Sequence, residues 1–362
     1  MKITLCRKSQ DGIAIFIVLV SVLVLASMAG IFAYNMRVET KLAMNSNNET
    51  EMEWLGRSGV ELARYVLGQE LAQPGPAQRF DALNQKWAGG QGETNDTLAG
   101  ITMTDVPLGN GKFSVKITDA ERKLNINTVA NNQAIMTQAL TAMGVDASEI
   151  PTITSSIQDW LDADDETHVN GAESDYYMTL DPPYRAKNGP IDDLSELLLV
   201  KGVTPDIYWG PNSTNHQAGV FQGHHTATTP LSLASMSPMI SMGMVDVFTP
   251  ISSGKININT CSANVLRAIG MDESTASHLI SMRAGPDGVD GTEDDVPFSN
   301  PGEIINAGLP QQFAQIFTPY LTVRSTTFEA TVDVEIGMSK RRYHALLFRN
   351  GRDIQVLNFH WE

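Results

Sequence analysis

At 362 residues the chain exceeds what one hydrophobic core usually serves, so about two globular pieces are expected. Hydrophobic residues make up 42% and charged residues 18%, the balance of a folded protein, and Gly and Pro are scattered rather than gathered into one disordered tract. The formal charge of -16 excludes nucleic acid as a default partner, because phosphate binding needs clustered Lys and Arg, and it favours cations instead.

The first element is a helix. Residues 12–36 carry no charge and are rich in Ile, Val, Leu and Phe, enough to cross a hydrocarbon core of about 30 Å. Lys2, Arg7 and Lys8 stand before it, which places the N-terminus in the cytoplasm and everything after Met36 outside. The apolar run is too long for an ordinary cleaved secretory signal, so it stays in the membrane. From Arg37 to Leu67 there is no Pro, and Leu42, Trp54, Leu55, Val60, Leu62, Ala63, Val66 and Leu67 fall at roughly helical spacing. The helix therefore continues into solvent and lays an apolar stripe on a globular head, until Pro74, Gly75 and Pro76 break it.

Strand signals follow at Lys112 to Thr118, Leu321 to Ile336, Tyr343 to Phe348 and Ile354 to Phe359. In the second run Thr331, Asp333 and Glu335 interleave with Val332, Val334 and Ile336, giving one wet and one buried face. Turns at Gly337 to Lys340 and Asn350 to Arg352 make the last three runs an antiparallel meander, which the strand near residue 115 joins only across a long gap. Residues 121–320 read as a mainly helical domain inserted into an α+β head built from 69–120 and 321–362, with 13–36 in the membrane and 37–68 as the helix beyond it.

The insertion contains a weak repeat: Leu124-Asn125-Ile126-Asn127-Thr128 against Ile256-Asn257-Ile258-Asn259-Thr260. Each is followed by a helical pattern and then Gly-x-Asp-x-Ser, with Gly144, Asp146 and Ser148 matching Gly270, Asp272 and Ser274. Two capped helix starts account for much of this pattern. A DNA-binding helix-hairpin-helix is the sharper alternative, opposed by Asp272 and Glu273 where phosphate would dock.

Two stretches crowd carboxylates tightly enough to ask for a hard cation, calcium above all. One is Asp287, Asp290, Glu293, Asp294 and Asp295 in a Gly-rich loop that lacks EF-hand spacing; the other is Asp162, Asp164 and Asp165 with Glu173 or Asp175. A solvated acidic loop or a turn network around Trp160 are the plainer readings. His168 lies in the second block, but nitrogen is not the usual calcium ligand. No catalytic motif is present: His224 and His225 sit among polar loop residues, and Cys261, at a helix start, reads as a small buried residue. No enzyme activity is expected.

The basic leader ending at Gly12, the apolar start at Ile13 and the long helix feeding a head resemble type IV pilin precursors. The fifth position after Gly12 is Ile17, where most pilins and pseudopilins have Glu, and this departure resembles the K-class minor pseudopilin. Asp159-Trp160-Leu161-Asp162-Ala163-Asp164-Asp165, Gly171 to Tyr177, Pro182-Pro183-Tyr184 and Leu194 to Leu197 resemble the general secretion pathway protein K family of type II secretion, and the Gly-rich acidic loop resembles pseudopilin calcium loops.

The resemblance implies cleavage of a 1–12 leader between Gly12 and Ile13 by a prepilin peptidase. It also implies an inner-membrane anchor with a periplasmic head and structural calcium. Partners would be the I- and J-class minor pseudopilins and the secretion platform, packed through Ala26, Ser27, Ala29 and Gly30. The expected role is at the pseudopilus tip, where a missing carboxylate and a bulky insertion are tolerated. A membrane-anchored DNA receptor and a signal-anchored periplasmic enzyme remain as alternatives.

Overall fold

The structure, a computed structural model, describes residues 11–72, 78–90, 98, 100–212, 240–305 and 311–362. Most of the leader, the Pro74 to Pro76 breaker, His224 and His225 lie outside those residues.

Helix α1 (Asp11–Glu70) is one unbroken element of 60 residues, about 90 Å long at 1.5 Å per residue. Ser21, Ser27 and Thr40 donate their hydroxyls to the carbonyls four residues back, at 2.8, 2.8 and 2.7 Å, so these three polar groups are satisfied within the helix itself. Its apolar window lies wholly outside the packed body, with a mean hydropathy of 2.8. Burial begins at Met52 and continues through Leu55, Val60, Ala63, Val66 and Leu67. Two members of the expected stripe do not join it: Leu42 is 62% exposed and Trp54 66% exposed. Leu42 precedes the head altogether, and Trp54 is rotated about 100° from its neighbour Leu55, off the contact line.

Two glycines set the closeness of that contact. A Cβ at Gly56 would stand 2.6 Å from the Tyr343 ring and one at Gly59 2.4 Å from a Val332 methyl, so the helix axis lies nearer the sheet than any larger residue permits. The sheet beneath begins with β1 (Val106–Leu108) and β2 (Gly111–Asp119). The chain then leaves the head for the insertion. There the two-residue strands β3 (Leu124–Asn125) and β5 (Ile256–Asn257) pair in parallel with β4 (Phe248–Thr249) and β6 (Leu321–Thr322), respectively. It returns as β7 (Thr327–Ile336), β8 (Ser339–Asn350) and β9 (Asp353–Trp361).

The resulting sheet is antiparallel, in the order β1-β2-β7-β8-β9. The expected α+β arrangement and terminal meander are present, with Gly337 and Gly351 at positive φ in the two-residue turns. The alternation in β7 holds: Val332, Val334 and Ile336 are buried against α1 while Asp333 is exposed. The strand expected over Leu321 to Ile336 is instead two elements. Between them the chain crosses a buried polar seam, where the Ser325 N–H donates to Asp81 rather than to a ladder.

That seam joins two separate apolar cores, one around α1 and the sheet and one within the insertion. Arg349 on β8 forms a two-pronged pair with Asp81, both side chains nearly inaccessible. Asp119, the last residue of β2, accepts from Thr260 Oγ1 (2.6 Å), Ser325 Oγ (2.6 Å) and Asn257 Nδ2 (3.1 Å). Glu121 accepts from Thr326 Oγ1 (2.8 Å) and the Thr327 N–H (3.1 Å), gripping the start of β7. Such charges are tolerated in the interior because each oxygen has its donors.

Candidate metal centre

The repeat noticed in the sequence is a structural one. In each copy the first Asn, Asn125 or Asn257, accepts the N–H of the second at 3.0 Å and so caps the following turn. The second Asn then imitates a backbone peptide. Asn127 accepts the Ile191 N–H at 2.8 Å and donates to its carbonyl at 2.9 Å; Asn259 does the same to Phe298 at 2.8 and 2.9 Å. The repeat thus extends to Pro190-Ile191 and Pro297-Phe298, and five residues beyond each anchor Glu196 and Glu303 accept backbone N–H groups from Asp192 and Ser299. Unequal spacers of 64 and 39 residues between Asn and anchor hid this in the sequence.

Each copy folds as a helical hairpin: α2 (Gln133–Met143) with α3 (Ile150–Leu161), and α4 (Ala263–Ala268) with α5 (Glu273–Arg283). Gly144 and Gly270 take the left-handed conformation after the first helix of each pair. At each hairpin turn an acidic side chain already takes a backbone donor that a phosphate would seek. Asp146 accepts the Ser148 N–H and hydroxyl, and Asp272 accepts the Thr275 N–H and the Ser274 hydroxyl. These donors hold both carboxyls below their usual range, so each hairpin presents a fixed anion. The DNA-receptor alternative therefore finds no support in the geometry.

The two acidic blocks occupy equivalent places, each following the second helix of a hairpin, yet their environments differ. In the Gly285 to Asp295 loop, where Gly285, Gly288 and Gly291 have positive φ, the carboxylates are spent on the loop itself. Asp290 forms a two-pronged pair with buried Arg283, at 2.9 and 2.8 Å. Asp287 accepts the Val289 N–H, Asp294 the Asp287 N–H and Thr292 hydroxyl, and Asp295 the Gly291 N–H. Glu293 is exposed. The five candidates are therefore not gathered around one point, because Arg283, outside the acidic run, draws Asp290 away.

In the other block a different set converges. Asp159, Asp162 and His168 bring one ligand atom each within 4.8 Å of one another. Asp159 lies on the last turn of α3 and Asp162 caps it, three residues on and thus on the same side. The chain then folds back so that the His168 N–H reaches Asp159 Oδ1 at 3.1 Å and the ring Nδ1 stands 2.5 Å from the same oxygen. Gly171 makes this possible, since a Cβ there would lie 2.0 Å from Asp159 Oδ2. Asp159 Oδ2, Asp162 Oδ1 and both oxygens of Glu173 are buried without a hydrogen-bond partner. Burial, then the charges of Asp159 and Asp162, push the Glu173 carboxyl up to about 7; the Asp159 carboxylate holds the His168 imidazole above its ordinary value.

Of the candidate residues in this block, Asp162 belongs to the cluster and Glu173 is buried close enough to feel its charges. Asp164 accepts the Glu166 N–H, Asp165 accepts from Asn188, and Asp175 is exposed on a short helix. Asp159 was missed as a ligand because it sits inside a helical pattern, although its spacing to Asp162 was the available signal. Cys261 is fully buried and its thiol is pushed up to about 11, as an inert core residue. At the membrane end, Gly12 and Ile13 lie near the start of α1, and the residues around Ala26, Ser27, Ala29 and Gly30 face outward, with open space around Gly30.

The family model described as type II secretion system, protein K matches residues 122–209, the first repeat and its acidic block. The type II secretion system protein K of Pectobacterium carotovorum subsp. carotovorum is 23% identical over 376 residues, covering 97% of this chain and 96% of that protein. The protein of the same description from Klebsiella pneumoniae is 27% identical over 210 residues, 55% of this chain and 60% of that protein. A chain in the crystal structure of the GspK-GspI-GspJ complex from the enterotoxigenic Escherichia coli type 2 secretion system shares the fold. It has a TM-score of 0.62 at 16% identity, covering 88% of this chain and 99% of that one. With its first repeat under the family model and a relative matched along nearly its whole length, this chain is similar to the type II secretion system protein K family.

Proposed function

We propose that the chain is a minor pseudopilin of type II secretion, anchored in the inner membrane by 13–36 with its head in the periplasm. It sits at the tip of the pseudopilus and supports assembly and export of folded proteins. The observation that carries this is α1: one continuous helix whose apolar first half is unburied by any of the described residues and whose later turns, from Met52, are sunk into the sheet. Such a half-helix is stable in lipid and is satisfied laterally by other helices, with Ala26, Ser27, Ala29 and Gly30 permitting close approach. The partners are the I- and J-class minor pseudopilins, in keeping with the GspK-GspI-GspJ complex of the structural relative. The role is structural, not catalytic, and the insertion's bulk suits a filament end.

Processing tests this most directly. Coexpression with a prepilin peptidase is expected to yield an N-terminus at Ile13 and co-purification with the I and J subunits. Retention of the first twelve residues alongside an active peptidase, or failure to associate with either subunit, would overturn it. Structural calcium belongs to the same proposal, favoured at the block with unsatisfied buried oxygens and requiring rearrangement at the Asp287 to Asp295 loop, where it must compete with Arg283.

A further inference from the structure

The seam between the two cores crowds Asp81, Asp119 and Glu121 together, all nearly inaccessible, with Arg349 buried among them. Arg349 gives both prongs to Asp81. Arg283, reaching in from the insertion, is spent on Asp290 and on the Ile258 and Cys261 carbonyls. The donors that reach Asp119 and Glu121 are uncharged. Two neighbouring carboxyls buried without a cation of their own favour uptake of a proton.

The kind of donor decides which of them takes it. Asp81 accepts from a guanidinium and the Ser325 N–H, and Glu121 from the backbone N–H groups of Ser253, Thr326 and Thr327 beside the Thr326 hydroxyl. Guanidinium and backbone N–H groups only donate, so a proton on those oxygens would meet another proton. At Asp119, Oδ2 is held by the hydroxyls of Thr260 and Ser325, each at 2.6 Å. A hydroxyl also accepts, so either can rotate to take a hydrogen bond from a protonated Asp119. Asp119 ends β2 in the head, whereas Thr260 belongs to the insertion, so this one bond network spans both.

We infer that Asp119 is a proton-operated clasp: protonated, it holds the insertion firmly on the head, and ionised, it leaves the two cores more loosely joined. Burial, then the charge of Glu121, push its carboxyl from the ordinary 3.8 up to about 7, and Asp81 adds to the rise. The other groups facing it are Arg349 on β8 and, in the second repeat, the Cys261 thiol with Arg283 on its carbonyl. A carboxyl raised by docking contributes fully below its undocked value and loses that contribution as pH climbs to about 7, at up to about tenfold in the docking equilibrium per pH unit.

The test follows hydrogen exchange of the full chain in detergent from about pH 4 to pH 8, corrected for the intrinsic rate, over 256–261 and 323–327. Wild-type protection is expected to fall by up to about tenfold per pH unit and to level off above about pH 7. Asp119→Asn, neutral at every pH and able to donate to the same hydroxyls, should stay protected throughout, and Glu121→Gln should move the midpoint to lower pH. Equal pH dependence in wild type and Asp119→Asn overturns the inference. Should that variant fail to fold, infrared spectroscopy decides in Glu173→Gln, which lacks the other carboxyl raised to about 7. A protonated-carboxyl band lost near neutrality sustains the clasp, and its absence overturns it.

Discussion

The insertion and the frame that carries it use charge in opposite ways. Residues 121–320 hold 24 Asp and Glu against 8 Lys and Arg, a net of -16, whereas the remainder holds 17 of each. In the frame the charges pair across strands: Lys112 with Asp105 at 2.7 Å, Arg342 with Asp333 at 2.7 Å, Lys340 with Glu335 at 3.7 Å. The insertion has too few cations for that. Its carboxylates instead cap turns, as Asp146, Asp193 and Asp272 do, or face one another at the Asp159 cluster. A self-neutral frame has little to gain from ions, whereas an unbalanced insertion carries negative charge that cations would offset.

The seam between the regions is the place to break that contrast hardest. Asp81→Asn leaves Arg349 buried and unpaired, a loss of about 3–5 kcal/mol; denaturant unfolding of the full chain in detergent is expected to split into two transitions. A single unshifted transition would show that the cores communicate elsewhere. Next in size is removal of divalent ions. If calcium is present at 100 times its Kd, stripping it costs about 2.7 kcal/mol, and hydrogen exchange should rise over 159–177 while β7 to β9 stay protected. Equal change in both regions would refute the asymmetry.

Asn259→Ala removes both bonds to Phe298 and is expected to cost about 1–3 kcal/mol, with Asn127→Ala close to it if the repeats are mechanically equivalent. A large difference between the two in thermal melts would mean that one copy carries the domain. Gly59→Ala, with its Cβ 2.4 Å from Val332, should destabilise the head by about 1–3 kcal/mol and leave exchange in the insertion untouched. Smallest is Arg342→Ala, which removes an exposed pair and should not measurably move either region.

Legibility followed the range of the interactions involved. The alternation of β7 is readable because each side chain answers only to the face it points to, and the helical stripe from Leu55 to Leu67 because neighbours on one turn share a surface. Trp54 was placed wrongly on that stripe, since a helical period tolerates one residue of angular error and only the sheet defines the contact line. The acidic blocks were visible as density, but density does not say which oxygens lack donors. Asp290 was removed by Arg283 from the preceding helix, and Asp159 was added by a loop that folds back at Gly171.

By itself, then, the sequence determined the membrane helix, the strands of the meander and the duplicated Asn-x-Asn-Thr turns, because these depend on periodicity and on bonds a few residues long. Tertiary structure decided the pairing of β2 with β7 across the insertion, the polar seam that docks one core on the other, and the cluster of Asp159, Asp162 and His168. Those contacts join residues from separate elements, so their energies exist only once the chain has closed the loops between them.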